Sequence, residues 1–201
     1  FDVALHVGTL VAVVSYFRRP LTAMALAAVR SAVRRRLDAE ARLAWLVVAG
    51  TVPVGLAGVA FADLIETHLR SPMFIAFTLA FFGVLMWIAD RLGRQCRDEY
   101  SIGWRDALIV GVAQAVSLLP GTSRSGITIT AGLALGMTRS AAARFSFLLS
   151  VPVTALAGAY EFRKMVEAGA AVDWSTTLVG MVVSCVTAYA SIHVLLKFIE
   201  R

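Results

Sequence analysis

The residues best suited to chemistry lie together in the segment PGTSRSGITIT, at positions 120–130. Arg124 is the single charge of this segment. Hydroxyl side chains lie close to it in sequence at Thr122, Ser123, Ser125 and Thr128. A guanidinium pairs with two oxygens of a phosphate group at once, and hydroxyls bond the remaining oxygens. The segment therefore predicts a site for phosphate or another anion.

Arg124 has no acidic residue near it in sequence, because no Asp or Glu occurs from Ala107 to Tyr160. The runs around it are apolar, and a charge at the centre of a membrane costs at least about 2.5–3.5 kcal/mol unless it is paired. A bound anion would supply the partner. Taken singly, each hydroxyl has another explanation, because Ser and Thr cap helix N-termini and form bonds between helices in membranes.

Two glycines and one amide side chain extend this candidate site. Gly121 and Gly126 allow backbone N–H groups to approach a ligand closely. We expect Gly126 to open a short helix whose N-terminus faces the anion. Gln114 is polar within the apolar stretch that precedes the motif, and two interpretations of it remain open: it bonds between helices, or it reaches the ligand.

The elements that position this site are predicted to be membrane helices. Of the 201 residues, 59% are hydrophobic, which is more apolar material than the core of a soluble domain needs. Runs close to the roughly 20 residues of a spanning helix occur at 43–62, 72–90, 142–160 and 175–196, with most of another at 2–17. The predicted fold class is an all-α polytopic membrane protein, with residues 1–201 forming one integral membrane domain.

The segment 107–137 differs from these spans. Its first apolar part, 107–119, would form about 20 Å of helix, which is short of the roughly 30 Å hydrocarbon core. Pro120 and Gly121 then interrupt the helix, and a second short run follows at 126–137. Broken backbone at membrane depth is tolerated where protein or a watery cavity surrounds it. We predict a re-entrant helical hairpin over 107–137, and a single kinked helix is the competing interpretation.

The net charge of +6 does not indicate nucleic-acid binding, because the basic residues are concentrated in connections between apolar runs. Seven arginines fall within 18–42 and four within 91–106, whereas 63–71 carries one arginine beside Asp63 and Glu66. This alternation predicts that the first two connections are cytoplasmic and that 63–71 lies outside.

The stretch 21–37 is predicted to be an amphipathic cytoplasmic helix, because apolar side chains alternate there with a dense set of arginines. Such a helix would lie on the anionic headgroups of membrane lipids. A solvated connector is the alternative.

The motif also resembles that of a known family. PGTSRSGITIT is similar to the PGxSRSxxT signature of the undecaprenyl-diphosphate phosphatases, the bacitracin-resistance family. Further resemblance to family segments, in the same order, covers residues 1–17, 51–61, 106–126 and 138–152. The resemblance thus extends over most of the chain.

This resemblance implies an enzyme of the bacterial inner membrane that hydrolyses undecaprenyl diphosphate to undecaprenyl phosphate and inorganic phosphate. The reaction recycles the lipid carrier for peptidoglycan and underlies bacitracin resistance. The implied fold has two interlocked inverted repeats, with the active site facing the outer side. The implied catalytic residues are Ser123, Arg124, Ser125 and Thr128. Gly121 and Gly126 match backbone positions of the family motif, and with Gln114 and Thr122 they are the candidate substrate-binding residues.

The chain departs from the family pattern at its two ends. The family's Glu-rich first hairpin, with its Ser-Ser-x-Gly-His stretch, is expected upstream of Phe1, and the last helix is expected after Arg201. We therefore expect residues 1–201 to form one wall of the active site and to be inactive alone. A divalent cation, Mg²⁺ or Ca²⁺, would take its ligands from outside this segment. A homodimer is a further expectation.

Two other functions fit an anion site in a membrane. Half-helices at mid-membrane are also found in transporters, so a transporter or flippase for a lipid phosphate is the first alternative. The second is a non-catalytic membrane subunit in which Arg124 pairs with a carboxylate of another segment.

Overall fold

The computed structural model describes residues 2–68, 71–167 and 174–199. These ranges contain α-helices joined by short connections, and no strand within them. In the predicted outer connection 63–71, every side chain except that of Ser71 lies outside the described part. The helices are α1 (Asp2–Tyr16), α2 (Arg18–Arg34), α3 (Ala39–His68), α4 (Pro72–Leu92), α5 (Trp104–Val116), α6 (Arg124–Ala134), α7 (Arg139–Glu167) and α8 (Trp174–Ile199).

Several of these helices are long and apolar enough to cross a membrane. A bent pair, Ala4–Tyr16 with Arg18–Arg34, passes the same test when its two helices are taken together. The prediction of an all-α polytopic membrane protein is confirmed, and the chain is a multi-pass membrane protein. The candidate spans among the described residues are Ala39–Phe61, Pro72–Leu92, Arg139–Tyr160 and Trp174–Ile199.

The chain divides into two compact units, of which the first comprises Phe1–Thr22 and Ser150–Arg201. In this unit α1 packs along α8. Gly8 permits the contact, because a Cβ atom at that position would overlap the Met181 carbonyl oxygen and lie 2.9 Å from the Cβ of Ser184. The Ser184 hydroxyl also donates to a carbonyl oxygen of α1 at 2.9 Å. Small and hydroxyl side chains thus hold this helix pair together, as in many membrane helix interfaces.

The second unit, Ala23–Leu149, contains the predicted site. Within it α5 packs against α3 and α6, and α4 packs against α6. The α3–α5 crossing is close at Gly50 and Gly111. A Cβ atom on Gly111 would overlap the Gly50 carbonyl oxygen and lie 2.9 Å from the Gly50 Cα. The two backbones therefore touch without an intervening side chain.

The segment predicted to be a hairpin forms two short helices, α5 and α6, which pack against each other. The first begins and ends three residues earlier than the apolar run 107–119. Its start is set by Gly103, whose N–H donates to the Asp106 carboxylate at 2.9 Å. A carboxylate in this position satisfies a donor at the helix start. Whether the pair re-enters the membrane stays a prediction.

The second helix of the pair, α6, also begins before the apolar run that predicted it. The expectation that Gly126 opens this helix is wrong, because Arg124 is its first residue and Ser123 is the N-cap. The Ser123 hydroxyl accepts a hydrogen bond from the Gly126 N–H at 3.2 Å. A hydroxyl that satisfies one of the free N–H groups in this way fixes where a helix starts.

The end of α6 is set by Gly136, which has φ +85°. The Gly136 N–H donates to the Leu133 carbonyl at 2.9 Å, and the Met137 N–H donates to the Gly132 carbonyl at 3.0 Å. This pair of bonds is the Schellman motif, which favours glycine at the left-handed position. The second helix therefore ends at Ala134 instead of reaching residue 137.

The connection that follows α4, residues 93–103, holds this end of α6. The Arg97 N–H donates to the Gly136 carbonyl at 3.0 Å, and the Thr138 N–H donates to the Arg97 carbonyl at 2.9 Å. The Arg97 guanidinium donates to the Leu135 carbonyl at 3.0 Å. Both the backbone and the side chain of Arg97 thus bind the C-terminal end of the helix.

The helix predicted over 21–37 is observed as α2, Arg18–Arg34, and the chain leaves it at Arg35, which has φ 53°. Its exposed face carries arginines together with apolar side chains. The position of this face on lipid headgroups stays a prediction. The buried residues are Met24, Ala27 and Ser31, and the exposed apolar residues include Leu26, Val29 and Val33.

Gly111→Ala should lower the free energy of unfolding by about 1–3 kcal/mol, because the added methyl group overpacks the α3–α5 crossing. Thermal unfolding of the purified protein in detergent would measure the change. Gly83→Ala on α4 is the matched control, since nothing lies within 4 Å of a Cβ there. An equal loss of stability in both variants would contradict the crossing as described.

Asp106→Asn should make the free energy of unfolding depend less on pH in the acid range. Burial raises the pKa of Asp106, but hydrogen bonds from Arg97, at 2.6 Å, and from the Gly103 N–H outweigh it, so this pKa lies below its ordinary value. A lowered carboxyl pKa stabilises the fold above the unfolded value of about 3.9, and this contribution is lost as the pH falls through the folded value.

Thermal unfolding followed over a range of pH would measure this effect. The wild type should unfold at a higher temperature than Asp106→Asn at pH 7, with a gap that narrows below about pH 4. A gap that is constant from neutral to acid pH would contradict a role for the Asp106 charge.

Candidate active site

The turn between α5 and α6 brings the motif residues together. After α5, the N–H groups of residues 117–119 each donate to the carbonyl three residues earlier. The Thr122 N–H then donates to the Leu119 carbonyl at 3.1 Å, and Gly121 has φ +87°. Proline at the second position and a positive-φ glycine at the third are the features of a type II β-turn. This turn reverses the chain and leads it into Ser123.

Ser123, Arg124 and Ser125 form the start of α6. Ser123 is extended, with φ −68° and ψ 122°, and Arg124 is the first residue of the helix. The Ser123 and Ser125 hydroxyls lie 3.4 Å apart, and both residues are exposed. The first N–H groups of a helix have no partner within it, and they carry the positive end of its dipole. The arrangement thus presents hydroxyls, N–H groups and a guanidinium at one helix end.

The Arg124 side chain is half-buried. Its guanidinium makes no hydrogen bond and no ion pair with any residue that the structure describes. Other arginines of the same unit differ: Arg97 pairs with Asp106, and Arg139 pairs with Asp90. The donors of Arg124 are therefore available to an anion.

Thr128 has a different environment from the serines. Its side chain is 2% exposed, and its hydroxyl lies 2.7 Å from the Ser146 hydroxyl on α7 and 2.9 Å from the Arg124 carbonyl oxygen. A buried hydroxyl with these partners joins α6 to α7 within the second unit. Thr128 would donate to a phosphate only after giving up one of these bonds.

Gln114 and Thr122 are both buried, at 0% and 8% exposure. The amide nitrogen and oxygen of Gln114 and the hydroxyl of Thr122 make no hydrogen bond to the residues that the structure describes. Buried polar groups almost always have a partner, so these side chains stand out. The two predicted substrate-binding side chains are therefore below the surface, while Gly121 lies in the turn and Gly126 in the first turn of α6.

Two residues at this site were not predicted from the sequence: Ser146, which meets Thr128, and Thr78 on α4. The Thr78 hydroxyl donates to the Pro120 carbonyl oxygen at 2.7 Å. Each is a hydroxyl within an apolar helix, which is a signal for bonding between membrane helices. The partner of such a hydroxyl depends on tertiary packing and could not be identified from its position in the chain.

A metal ion would need a set of ligands that the described residues do not assemble. Among the side chains that the structure describes, which do not include those of residues 62–70 and Glu161, no group of three or more His, Cys, Asp or Glu could hold one. Divalent cations such as Mg²⁺ and Ca²⁺ prefer carboxylate oxygens. The motif presents hydroxyls and a guanidinium instead, and these groups suit an anion.

Comparison with known proteins shows the family. A family model described as bacitracin resistance protein BacA matches residues 1–201. The chain belongs to the BacA family. Relatives of this BacA-family chain include undecaprenyl-diphosphatase 2 of Stutzerimonas stutzeri (strain A1501), 50% identical, and undecaprenyl-diphosphatase of Thioalkalivibrio sulfidiphilus (strain HL-EbGR7), 52% identical. Each match covers 100% of this chain and 76% of the relative.

Thr128→Val and Ser146→Ala should be coupled in their effect on the stability of this BacA-family protein. Each single change removes one side of a buried hydroxyl pair and should cost about 1 kcal/mol. The double variant should cost less than the sum, with a coupling energy of about 0.5–1.5 kcal/mol. Thermal unfolding of the wild type and the three variants under identical detergent conditions gives this energy, and strict additivity would count against the contact.

Proposed function

We infer that this chain belongs to an enzyme that hydrolyses undecaprenyl diphosphate to undecaprenyl phosphate and inorganic phosphate. The observation that carries the inference is the start of α6. There Arg124, which has no partner among the described residues, lies between two exposed serines in a family whose relatives are named undecaprenyl-diphosphatase. The reaction returns the lipid carrier to cell-wall synthesis. It also accounts for the description of the family as bacitracin resistance proteins.

Arg124 is proposed to neutralise the charge on the transferred phosphoryl group. Negative charge develops on the phosphate oxygens as the bond to the leaving lipid phosphate breaks, and fixed donors that match this charge lower the barrier. A guanidinium offers two parallel donors in one plane, which suits two oxygens of one phosphate. Because Arg124 is the first residue of α6, its charge adds to the positive end of the helix dipole.

The neighbouring groups are proposed to orient the phosphate. Ser123 and Ser125 carry the exposed hydroxyls of the site, and they flank Arg124 in the chain. Thr128 is bonded to Ser146 and to the Arg124 carbonyl, so its part is to hold the first turn of α6 in place.

Gln114 and Thr122 are proposed to bind substrate, together with the backbone at Gly121 and at Gly126, whose N–H would exchange its bond to the Ser123 hydroxyl for one to the ligand. The buried polar atoms of Gln114 and Thr122 have no partner among the described residues, so they have donors and acceptors to offer a ligand. A ligand that reached them would satisfy groups that are otherwise costly to bury.

A divalent cation, Mg²⁺ or Ca²⁺, stays an expectation drawn from the family. When bound, such an ion would supply positive charge that stabilises the phosphate group. The described residues do not assemble its ligands. The binding and orientation proposed above rest on the side chains and backbone of α5, α6 and the turn between them.

The orientation of the site is proposed from the distribution of charge. The arginines of α2 and of the 93–103 connection favour the cytoplasmic side of the bacterial inner membrane for these segments. The α5–α6 turn lies at the other end of α5 from Trp104, about 20 Å of helix away. The site would then be reached from the outer side, with the exposed arginines of α2 on anionic lipid headgroups. A homodimer stays a further expectation.

Arg124→Lys should reduce phosphate release by about 100-fold or more, because lysine keeps the charge and loses the paired donors. The measurement is inorganic phosphate released from undecaprenyl diphosphate by the intact gene product in detergent. Arg105→Lys, at an exposed arginine near the start of α5, is the matched control and should retain wild-type activity. Both variants should unfold at the wild-type temperature.

Two results would overturn parts of this proposal. Unchanged activity of Arg124→Lys would remove Arg124 from the phosphate site. Binding of the lipid diphosphate by the intact protein without any phosphate release, across a series of divalent cations, would replace the hydrolase with a lipid-phosphate transporter.

A further inference from the structure

Helix α4 is exposed or half-exposed within its own unit, with one exception. Of its 21 residues, Thr78 alone is buried, and it is 4% exposed. The residues around it in the helix are apolar and largely exposed, among them Phe77 and Leu79. The one buried position of α4 is therefore a hydroxyl, which is not what apolar packing alone would select.

The Thr78 hydroxyl reaches the turn that carries the phosphate motif. Its oxygen lies 2.7 Å from the Pro120 carbonyl oxygen, compared with 3.0 Å from the Ile75 carbonyl and 3.1 Å from the Phe74 carbonyl. A threonine in a helix ordinarily donates to one of the latter two. Here the shortest of the three distances is to a residue 42 positions away.

The Pro120 carbonyl needs such a donor. In a type II turn, the bond that closes the turn joins the first carbonyl to the fourth N–H, which are those of Leu119 and Thr122. The carbonyl of the second residue, Pro120, takes no part in that bond. A carbonyl left without a donor among apolar helices is costly. The Thr78 hydroxyl supplies that donor to the Pro120 carbonyl.

Gly121 shows how closely the turn lies on α4. A Cβ atom at Gly121 would overlap the Thr78 hydroxyl and lie 2.5 Å from the Ile75 carbonyl oxygen and 3.0 Å from the Ile75 Cα. Glycine is thus required by the φ of +87° and, independently, by contact with α4. Thr78 and Gly121 are complementary parts of one contact.

We propose that Thr78 is a positioning residue for the phosphate site. It lies outside the motif segment 120–130 and acts through the backbone, because its bond fixes the Pro120–Gly121 peptide. Only Thr122 separates that peptide from the Ser123 cap, and Arg124, the first residue of α6, follows the cap directly. Loss of the bond lets the turn shift relative to α4, and the guanidinium and serine hydroxyls shift with it. The consequence for catalysis rests on the proposed hydrolase function; the consequence for the turn does not.

Thr51 on α3 provides a matched comparison. It is also a buried threonine in an apolar helix, at 6% exposure, and its hydroxyl donates to the Val47 carbonyl of its own helix at 2.8 Å. Thr51→Val and Thr78→Val thus remove the same atom from similar surroundings. They differ in that the Thr78 hydroxyl bonds the motif turn.

The test uses the intact gene product and its Thr78→Val, Thr78→Ser and Thr51→Val variants. In Thr78→Val we expect kcat for phosphate release to fall about 10- to 100-fold, because a small misplacement of catalytic groups has effects of this size. Thr78→Ser keeps the hydroxyl and should restore kcat to within about 3-fold of wild type, and Thr51→Val should stay in the same range. Equal losses in the Thr51 and Thr78 valine variants, or no rescue by serine, would overturn the proposal.

Hydrogen–deuterium exchange of the 117–126 segment separates this proposal from the hydrolase function. The amides of this segment should exchange faster in Thr78→Val than in wild type, and at the wild-type rate in Thr78→Ser and Thr51→Val. Gly121→Ala disrupts the same contact from the other side and should give the same faster exchange, whether or not Thr78→Val can be purified.

This measurement distinguishes a failure of the Thr78 proposal from a failure of the hydrolase function. Unchanged exchange in both Thr78→Val and Gly121→Ala would refute the role of Thr78 even if the enzyme is a phosphatase. Faster exchange in a protein that releases no phosphate would leave Thr78 in its positioning role and refute the hydrolase.

Discussion

The peptide groups between α5 and α6 must find hydrogen-bond partners without a helix to supply them, and the second unit is organised around this requirement. The turn satisfies part of it internally, through the Leu119–Thr122 bond. Thr78 supplies a donor for the Pro120 carbonyl, and Ser123 caps the next helix. Backbone that is satisfied in this way can lie among apolar helices. The Arg124 guanidinium at the start of α6 has no hydrogen-bond or ion-pair partner among the described residues, and it is the group that the proposed chemistry needs.

Much of the fold could be predicted because membrane helices leave a strong signal in sequence. Runs such as 72–90 and 175–196 correspond to α4 and α8, since a spanning helix must be apolar over most of its length. The candidate site also left a signal, because Arg124 is a charge without a nearby acid in sequence, and the structure gives it no partner among the described residues. Both signals are local: they depend on residue type and on distance along the chain.

The remaining features depend on capping or on contacts between distant segments. The apolar pattern predicts that α6 starts at Gly126, whereas the Ser123 cap makes it start two residues earlier, at Arg124. The motif groups Thr128 with the exposed serines, but packing buries it against Ser146 on α7. Thr78 is separated from its partner by 42 residues, and no pattern within α4 indicates that its hydroxyl faces a turn as well as its own helix.

Helix α6 is held at both of its ends, and this has a mechanical consequence. Its N-terminal side is fixed by the Ser123 cap and by the contact of the α5–α6 turn with α4. Its C-terminal side is fixed by the Schellman motif at Gly136 and by Arg97. Its 11 residues make a stiff rod about 16 Å long. Because both ends are bonded, this rod holds Arg124 and the 93–103 connection at a fixed separation along its axis. The basic connection and the phosphate site thus lie at opposite ends of one short helix and are mechanically coupled through it.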